Sequence, residues 1–325
     1  MSVTIHDVAR RANVSISTVS RAFTSPDLVR HQTRSRVLAA ASELGYHAAG
    51  APQPVARTGH LGIVVSDLGN PFFTGVLDGV QARARQDDVA VLFASSDQDP
   101  ATEQNLVRRM ARQVDGVVLG SPSMTDDQLR ALAGQTTLVL LNREVPGIPS
   151  VVMDAADGMR QAIEHLAALG HRRCAYLGGP RASWADRARR QGLAEAAERH
   201  GTEVVEFGPF PPVFEGGLQG ADLALAADVT AIVAYNDLVA FGALARLNAR
   251  GVPVPDEISL VGFDDLVFAA ISAPPLTTIA MPTEAAGRAA VTILLDLLDG
   301  DAAERTDQVL DTYLIVRATT APPAG

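Results

Sequence analysis

From Ile5 to Phe23 apolar residues recur at helical spacing, with Ile5, Val8 and Ala9 on one face, then Val14, Val19, Ala22 and Phe23 on another. The spacing predicts two short helices joined by a tight turn, with Ser15 as the N-cap of the second. Capped there, a 3.6-residue period turns Val19, Ala22 and Phe23 inward and leaves Ile16, Ser17, Ser20 and Arg21 outward. A third helix is predicted from Thr33, with Val37, Leu38, Ala41 and Leu44 on one face and Gly45 as its stop. The stretch that follows, to Gly59, is rich in Ala, Gly and Pro and reads as a linker.

From Leu61 the pattern changes to short continuous apolar runs separated by amphipathic stretches. Runs starting at Leu61, Val89, Gly116, Leu138, Cys174, Ala231 and Ile258 are of buried parallel-strand type. Helices are predicted around 75–86, 104–113, 158–169, 187–199 and 238–250. This alternation implies doubly wound parallel sheets. The pattern restarts after Gly170, which points to two similar subdomains with a cleft between them; a single large Rossmann-like enzyme domain is the competing reading. A chain of 325 residues that is 47% hydrophobic has room for two or three such units.

The outward set on the second helix suits a DNA major groove: an arginine for guanine edges or phosphate, small hydroxyls for close approach, an apolar tip for thymine methyls. A small helical hairpin in an ordinary core would show the same apolar faces. Charge separates the two readings. Residues 1–60 hold seven arginines against Asp7, Asp27 and Glu43, about +4, so a chain of net charge −10 keeps about −14 for the rest. A basic head on an acidic body suits phosphate contact by the head alone. All 27 basic residues are arginine, which the prevalence of Ala ascribes to a GC-rich genome.

The single cysteine, Cys174, rules out an internal disulfide and opens an apolar run, so it reads as a buried thiol. No signal peptide or membrane-length apolar stretch is evident, and a cytoplasmic protein is expected. The chain has no G-x-G-x-x-G after a first strand, no phosphate-binding G-x-x-x-x-G-K-[ST], no nucleophile elbow and no His/Cys cluster of metal spacing. No enzyme activity, cofactor or metal is therefore expected. A sugar transport receptor, the third class, lacks the basic head.

The order of motifs is more specific than any one of them. T-I-H-D-V-A and V-S-I-S-T-V-S-R are followed by T-R-S-R-V and E-L-G-Y; then come D-L-G-N-P-F-F from Asp67, V-D-G-V-V-L from Val114, and H-L-A-A-L-G-H-R-R from His165. Y-N-D from Tyr235, V-G-F-D-D from Val261, P-P-L-T-T-I from Pro274 and L-I-V-R-A-T-T from Leu314 complete the series. In this the chain resembles the LacI/GalR family of bacterial transcription regulators from end to end.

The resemblance implies an all-α helix-turn-helix headpiece at 1–47, a hinge at 48–60, and an effector-binding and dimerisation body at 61–325 built like a periplasmic binding protein. One lobe would span about 61–157 and 281–308, the other about 158–280 and 309–320. The implied partners are double-stranded operator DNA, a second copy of the chain, and a small-molecule effector, a sugar or sugar derivative, with a nucleoside or purine as the alternative. With no heptad repeat after Arg317, a homodimer is expected rather than a tail-zipped tetramer. Ser17 and Arg21 are expected to read bases, Ile16 to meet a methyl, Ser20 to share their face, and Thr4, Ser15, Thr18 and Thr33 to contact phosphates.

Candidate effector contacts end strands or follow them: Asn142, Arg187, Asn236 and Asp264, with Phe72, Phe73 and Trp184 as apolar walls for a ring. The resemblance favours Arg187, five residues before Gly192, together with Asn236 and Asp264; Asp237 and Asp265 are expected to cap the helices that follow them.

Departures from the family pattern carry their own physics. Asn13 replaces the usual turn glycine, and Asn142 an aspartate often found there. The family's hinge folds on DNA into a helix whose leucine wedges into the minor groove; here Val55 takes that slot, flanked by Pro52 and Pro54 after Gly50. Pro54 pushes Gln53 out of the helical region, so the hinge helix is expected to be weak or absent. Replacing Pro52 and Pro54 together by Ala should tighten operator binding and increase DNA bending; unchanged gel-shift and bending values would remove the proline account.

Overall fold

The computed structural model describes residues 3–24, 29–44, 46, 57–300 and 307–324, and separates into a unit Met1–Arg57 and a unit Thr58–Gly325. In the first unit, helices α1 (Ile5–Ala12), α2 (Ile16–Thr24) and α3 (His31–Leu44) enclose Val8, Ala9, Ala12, Val19, Ala22, Val37, Ala40 and Ala41. Asn13 makes the turn between α1 and α2 in the left-handed region at φ 51°, a conformation asparagine tolerates better than most side chains. Ser15 Oγ then accepts the Thr18 N–H at 3.1 Å and caps α2.

The third helix differs from its predicted form. It starts at His31, where the Thr33 and Arg34 amides donate to the Arg30 carbonyl, and Leu38 points outward at 38% exposure. Positions 37, 40, 41 and 44 form the i, i+3, i+4, i+7 stripe, so the small Ala40 takes the inward place and lets α3 approach its neighbours.

The second unit begins with two residues tied to the sheet. Thr58 N–H and Oγ1 donate to Asp115 Oδ1 at 2.7 and 3.0 Å, and Gly59 N–H to its Oδ2 at 3.0 Å. The chain then runs β1 (His60–Val65), α4 (Phe72–Ala84), β2 (Ala90–Ser95), α5 (Pro100–Met110), β3 (Gly116–Gly120), α6 (Asp126–Ala133), β4 (Thr137–Leu141) and β5 (Ser150–Met153). It continues through α7 (Ala155–Leu169), β6 (Arg173–Leu177), α8 (Trp184–His200), β7 (Glu203–Phe207), α9 (Phe214–Leu225), β8 (Ala231–Ala234), α10 (Asp237–Ala249) and β9 (Ser259–Val261). The last elements are α11 (Val267–Ile271), β10 (Thr278–Ala280), α12 (Thr283–Asp299), β11 (Asp307–Leu310) and β12 (Tyr313–Ile315).

Two parallel sheets result, ordered β11-β5-β4-β3-β1-β2 and β7-β6-β8-β9, with β10 and β12 paired antiparallel as a third, two-stranded element. The chain thus leaves the first sheet after β5, builds the second, returns through β10 to place α12 and β11 on the first, and comes back through β12. Buried side chains connect the sheets: one core joins Ile63, Val118 and Val139 to Met159 and Ile163 of α7 and on to Tyr176, Val233 and Val261. Cys174 lies fully buried within it, and burial pushes its thiol up to about 12. Among the described residues no helix is long and apolar enough to cross a membrane.

The returning α12 lies against α4 with almost no space between backbones. A Cβ on Gly79 would collide with the Glu284 carbonyl, and one on Gly287 with that of Val76. Gly79→Ala should therefore force α12 off α4 at a cost of about 1–3 kcal/mol, read as a lowered urea midpoint with unchanged m-value.

Candidate functional sites

On the headpiece, the residues expected to face DNA lie on one exposed surface of α2. Ile16 is 42% exposed, Ser17, Ser20 and Arg21 are exposed, and Val19 and Ala22 are buried behind them. Three hydroxyls gather at the helix start: Ser15 Oγ lies 2.9 Å from Ser17 Oγ and 2.7 Å from Thr18 Oγ1, Thr18 being half-buried. Thr4 precedes α1, where its N–H and hydroxyl donate to the Asp7 carboxylate at 3.0 and 2.7 Å and hold that carboxyl below its ordinary range. Thr33 is half-buried in the first turn of α3. Val55, with Gly50, Pro52 and Pro54, lies outside the described residues.

In the second unit a cleft opens at the carboxyl ends of both parallel sheets, the place where such folds hold ligands. Loops after β1 to β4 supply Ser66, Asp67, Asn70, Gln98, the segment from Ser121 to Ser123, and Asn142; α4 adds Phe72 and Phe73. From the other sheet come Pro180, Ser183, Trp184, Arg189, Pro212, Tyr235, Asn236 and Asp264. Six predicted contacts therefore share one cavity: Phe72, Phe73, Asn142, Trp184, Asn236 and Asp264.

Arg187 does not, and the expectation built on its distance from Gly192 is corrected. It is exposed, whereas Arg189 is 3% exposed and lines the cleft. On α8 the buried face runs Ala185, Arg189, Gly192, Leu193 and Ala196, at spacings of three and four, which turns Arg187 to solvent. Gly192 fixes that face, because a Cβ there would strike the Ala156 backbone. Arg189 lies 4.4 Å from the Tyr235 ring centre and 4.0 Å from that of Phe263, and its Nη2 lies 3.4 Å from Asp264 Oδ1.

The two aspartates expected as helix caps are structural in another way. Asn236 caps α10, its Oδ1 accepting from Val239 N–H at 2.9 Å while its Nδ2 donates to the Pro212 carbonyl at 3.0 Å. Asp237, fully buried, accepts from Thr278 Oγ1 at 2.6 Å and Leu266 N–H at 2.8 Å, tying the loops after β8 and β9 to β10. Asp265 accepts from Arg317 Nη2 at 2.7 Å and so holds the segment after β12.

Comparison with known proteins places both sites in one context. Residues 4–49 match the model for bacterial regulatory proteins of the lacI family, and residues 163–320 that for a periplasmic binding protein-like domain. The HTH-type transcriptional repressor CytR of Escherichia coli K12 is 32% identical over 98% of this chain and 96% of its own. The chain belongs to the LacI/GalR family of bacterial transcription regulators. The regulator GalS of Salmonella typhimurium is 34% identical over 90% of this chain and 89% of its own. Among solved structures, the regulator CelR in complex with cellobiose superposes with a TM-score of 0.73 at 33% identity, over 98% of this chain and all of that one. The lac repressor dimer bound to operator and the anti-inducer ONPF gives 0.75 at 28%, over 99% and 100%. These relatives are DNA-binding regulators rather than enzymes.

Burial sets the electrostatics of this LacI/GalR cleft. Asp264 is pushed up to about 7 by desolvation, which the neighbouring Arg189 opposes, and Asp237 is raised by burial and by Asp264. Behind the cleft wall, fully buried Glu103 accepts the Ser123 and Met124 amides at 3.0 and 3.2 Å and is likewise pushed up to about 7 by desolvation. Arg143 grips the same segment from the other side, donating to the Pro122 carbonyl at 3.1 Å and to Asp126 at 2.7 Å. Sequence reading missed Glu103, which follows no strand end; Arg143 does follow β4, as a strand-end candidate would, but its guanidinium holds this wall instead of lining the cavity. Asp264 and Glu103 thus make the folded state hold protons that the unfolded chain releases between an ordinary carboxyl value, near 4, and about 7. Stability should thus fall as pH rises through that window and level off above it. Glu103→Gln should flatten the fall by up to about 3 kcal/mol, measured by urea melts at pH 5, 6, 7 and 8; an identical slope in the variant would refute the assignment.

Proposed function

We propose that this regulator is a cytoplasmic repressor that binds a near-palindromic operator as a homodimer and changes its DNA affinity when a small molecule enters the cleft. The observation that carries the reading is the exposed face of α2, where Ile16, Ser17, Ser20 and Arg21 project from a helix seated on buried Val19 and Ala22. In a dimer, two such helices enter successive major grooves. The proposed organisation is a headpiece at 1–47, a hinge at 48–60 and an effector body at 61–325. The lac repressor dimer on its operator and the CelR–cellobiose complex support the operator, the dimer and a carbohydrate-like effector. Within this chain, the apolar side chains Val267, Phe268 and Ile271 of α11, 70%, 48% and 74% exposed, fit the surface that a second copy would cover.

Effector contacts are assigned to Phe72, Phe73, Asn142, Trp184, Arg189, Asn236 and Asp264. The cleft lies between sheets joined by three chain crossings, so a ligand that favours one lobe separation shifts the population of states. It acts only through unequal affinity for those states.

Fluorescence anisotropy with genomic fragments should show selective binding by the full chain. Arg21→Ala should cost about 1–3 kcal/mol on the best site and relax preference at one base position. A loss equal on every sequence would instead assign Arg21 to phosphate, and no discrimination by the wild type would remove the regulator reading.

A further inference from the structure

Three helices begin at the cleft: α4 behind Asn70, α8 behind Ser183 and α10 behind Asn236. Helix N-termini are ready seats for anions, so the charge that the cleft accepts depends on what already fills them. Each is occupied by the chain itself. Asn70 Oδ1 accepts the Phe72 N–H at 3.0 Å, Ser183 Oγ that of Asp186 at 3.2 Å, and Asn236 Oδ1 that of Val239 at 2.9 Å. In the first turns of α8 and α10 stand buried carboxyl groups, Asp186 and Asp237, 1% and 0% exposed. Both helix dipoles therefore face an acid of their own.

Among the described residues, the charged side chains that line the cleft are Asp67, Arg189 and Asp264. Arg189 is the one cation among them, and its charge is already engaged by the faces of Tyr235 and Phe263 and by Asp264. Asp67 adds a negative charge with no lining cation to offset it. What remains open is hydrogen-bonding capacity, with no additional cation to receive an anion. Arg189 Nε and Asn142 Oδ1 are buried with no hydrogen-bond partner among the described residues, one a donor and the other an acceptor. A ligand hydroxyl can accept from the one or donate to the other; a phosphate or carboxylate would meet an acceptor and the acids Asp67 and Asp264.

We infer that the cleft selects by charge, taking an uncharged hydroxyl-bearing ring compound and rejecting its phosphorylated or carboxylated forms. This rests on the reading of the cleft as the effector site and adds the chemical class it accepts. An anion there would be desolvated without a free cation, a cost that its remaining contacts do not recover.

The test uses the full chain in calorimetric titrations and thermal-shift assays with matched pairs: ribose and ribose 5-phosphate, glucose and glucuronate, cytidine and its 5′-monophosphate, with cellobiose as a further neutral probe. The expected result is binding by neutral members, with each anionic counterpart on the order of a hundredfold weaker. Asp67→Asn should narrow that gap for the responsive pair. An anionic member that binds as tightly as its neutral parent, or a gap that Asp67→Asn leaves unchanged, overturns the inference while leaving the regulator intact. Silence of every compound, with operator binding preserved, removes the effector reading and the inference with it.

Discussion

Parallel pairing obliges every strand of a sheet to finish at the same edge, and the functional half of the second unit depends on that constraint. All strands of both main sheets run parallel, so the loops after β1 to β4 and after β6 to β9 end where the two sheets open toward one another. A side chain placed one to three residues beyond an apolar strand can thus enter the cleft without any dedicated scaffold. Asn142 and Asp264 do this with positive φ, at 59° and 120°, a backbone cost that the surrounding hydrogen bonds must hold in place. The Asp264 amide is fixed by the Ile279 carbonyl at 2.9 Å, and that of Asn142 by Val151 at 2.7 Å, so neighbouring strands maintain both conformations.

Buried charge then does for the cleft what the strands do for its outline. Arg189 joins α8 to the loop after β9, Asp237 joins α10 to β10, and Glu103 with Arg143 holds the Pro122–Met124 segment by its amides and a carbonyl. Removing one partner from such a set leaves a desolvated group and costs more than the pair contributes. Glu103 therefore both fixes geometry and carries pH sensitivity, because desolvation pushes its carboxyl up to about 7.

The parts legible in the sequence are those in which one local rule dominates. Ser15 before a helical stripe, Asn13 at a left-handed turn and the unbroken apolar runs of β1, β3 and β4 each satisfy such a rule. β5, with four residues, and β7, an edge strand whose exposed Glu203 and Glu206 interrupt its half-buried side chains, carried too short or too mixed a signal. β11 reads D-Q-V-L, polar at its start, and is specified by its place beside β5. Arg187 and Arg189 show the limit for a site. A count from Gly192 chose one arginine, while the helical phase of Ala185, Leu193 and Ala196 selects the other. Phase was in the sequence and carried the stronger physics. Leu38 makes the converse point: hydrophobicity favoured it, and the 3.6-residue period gave its place to Ala40.

Charge is distributed on the same principle in both units. Residues 1–60 carry about +4 and the rest about −14, so phosphate-rich duplexes are drawn to the headpiece and repelled by the body. Within the body, the cleft continues that exclusion at short range: its cation is engaged by two rings and an acid, and its helix ends are filled by their own side chains. A surplus of cleft arginines would have offered a second seat for phosphate. Keeping the cleft free of spare positive charge separates the two recognition problems. In the proposed division, duplex phosphates meet exposed arginine in high dielectric, and the small molecule meets desolvated hydrogen-bonding groups. An engaged guanidinium in the cleft is thus compatible with a basic headpiece because the two are set to recognise opposite kinds of ligand.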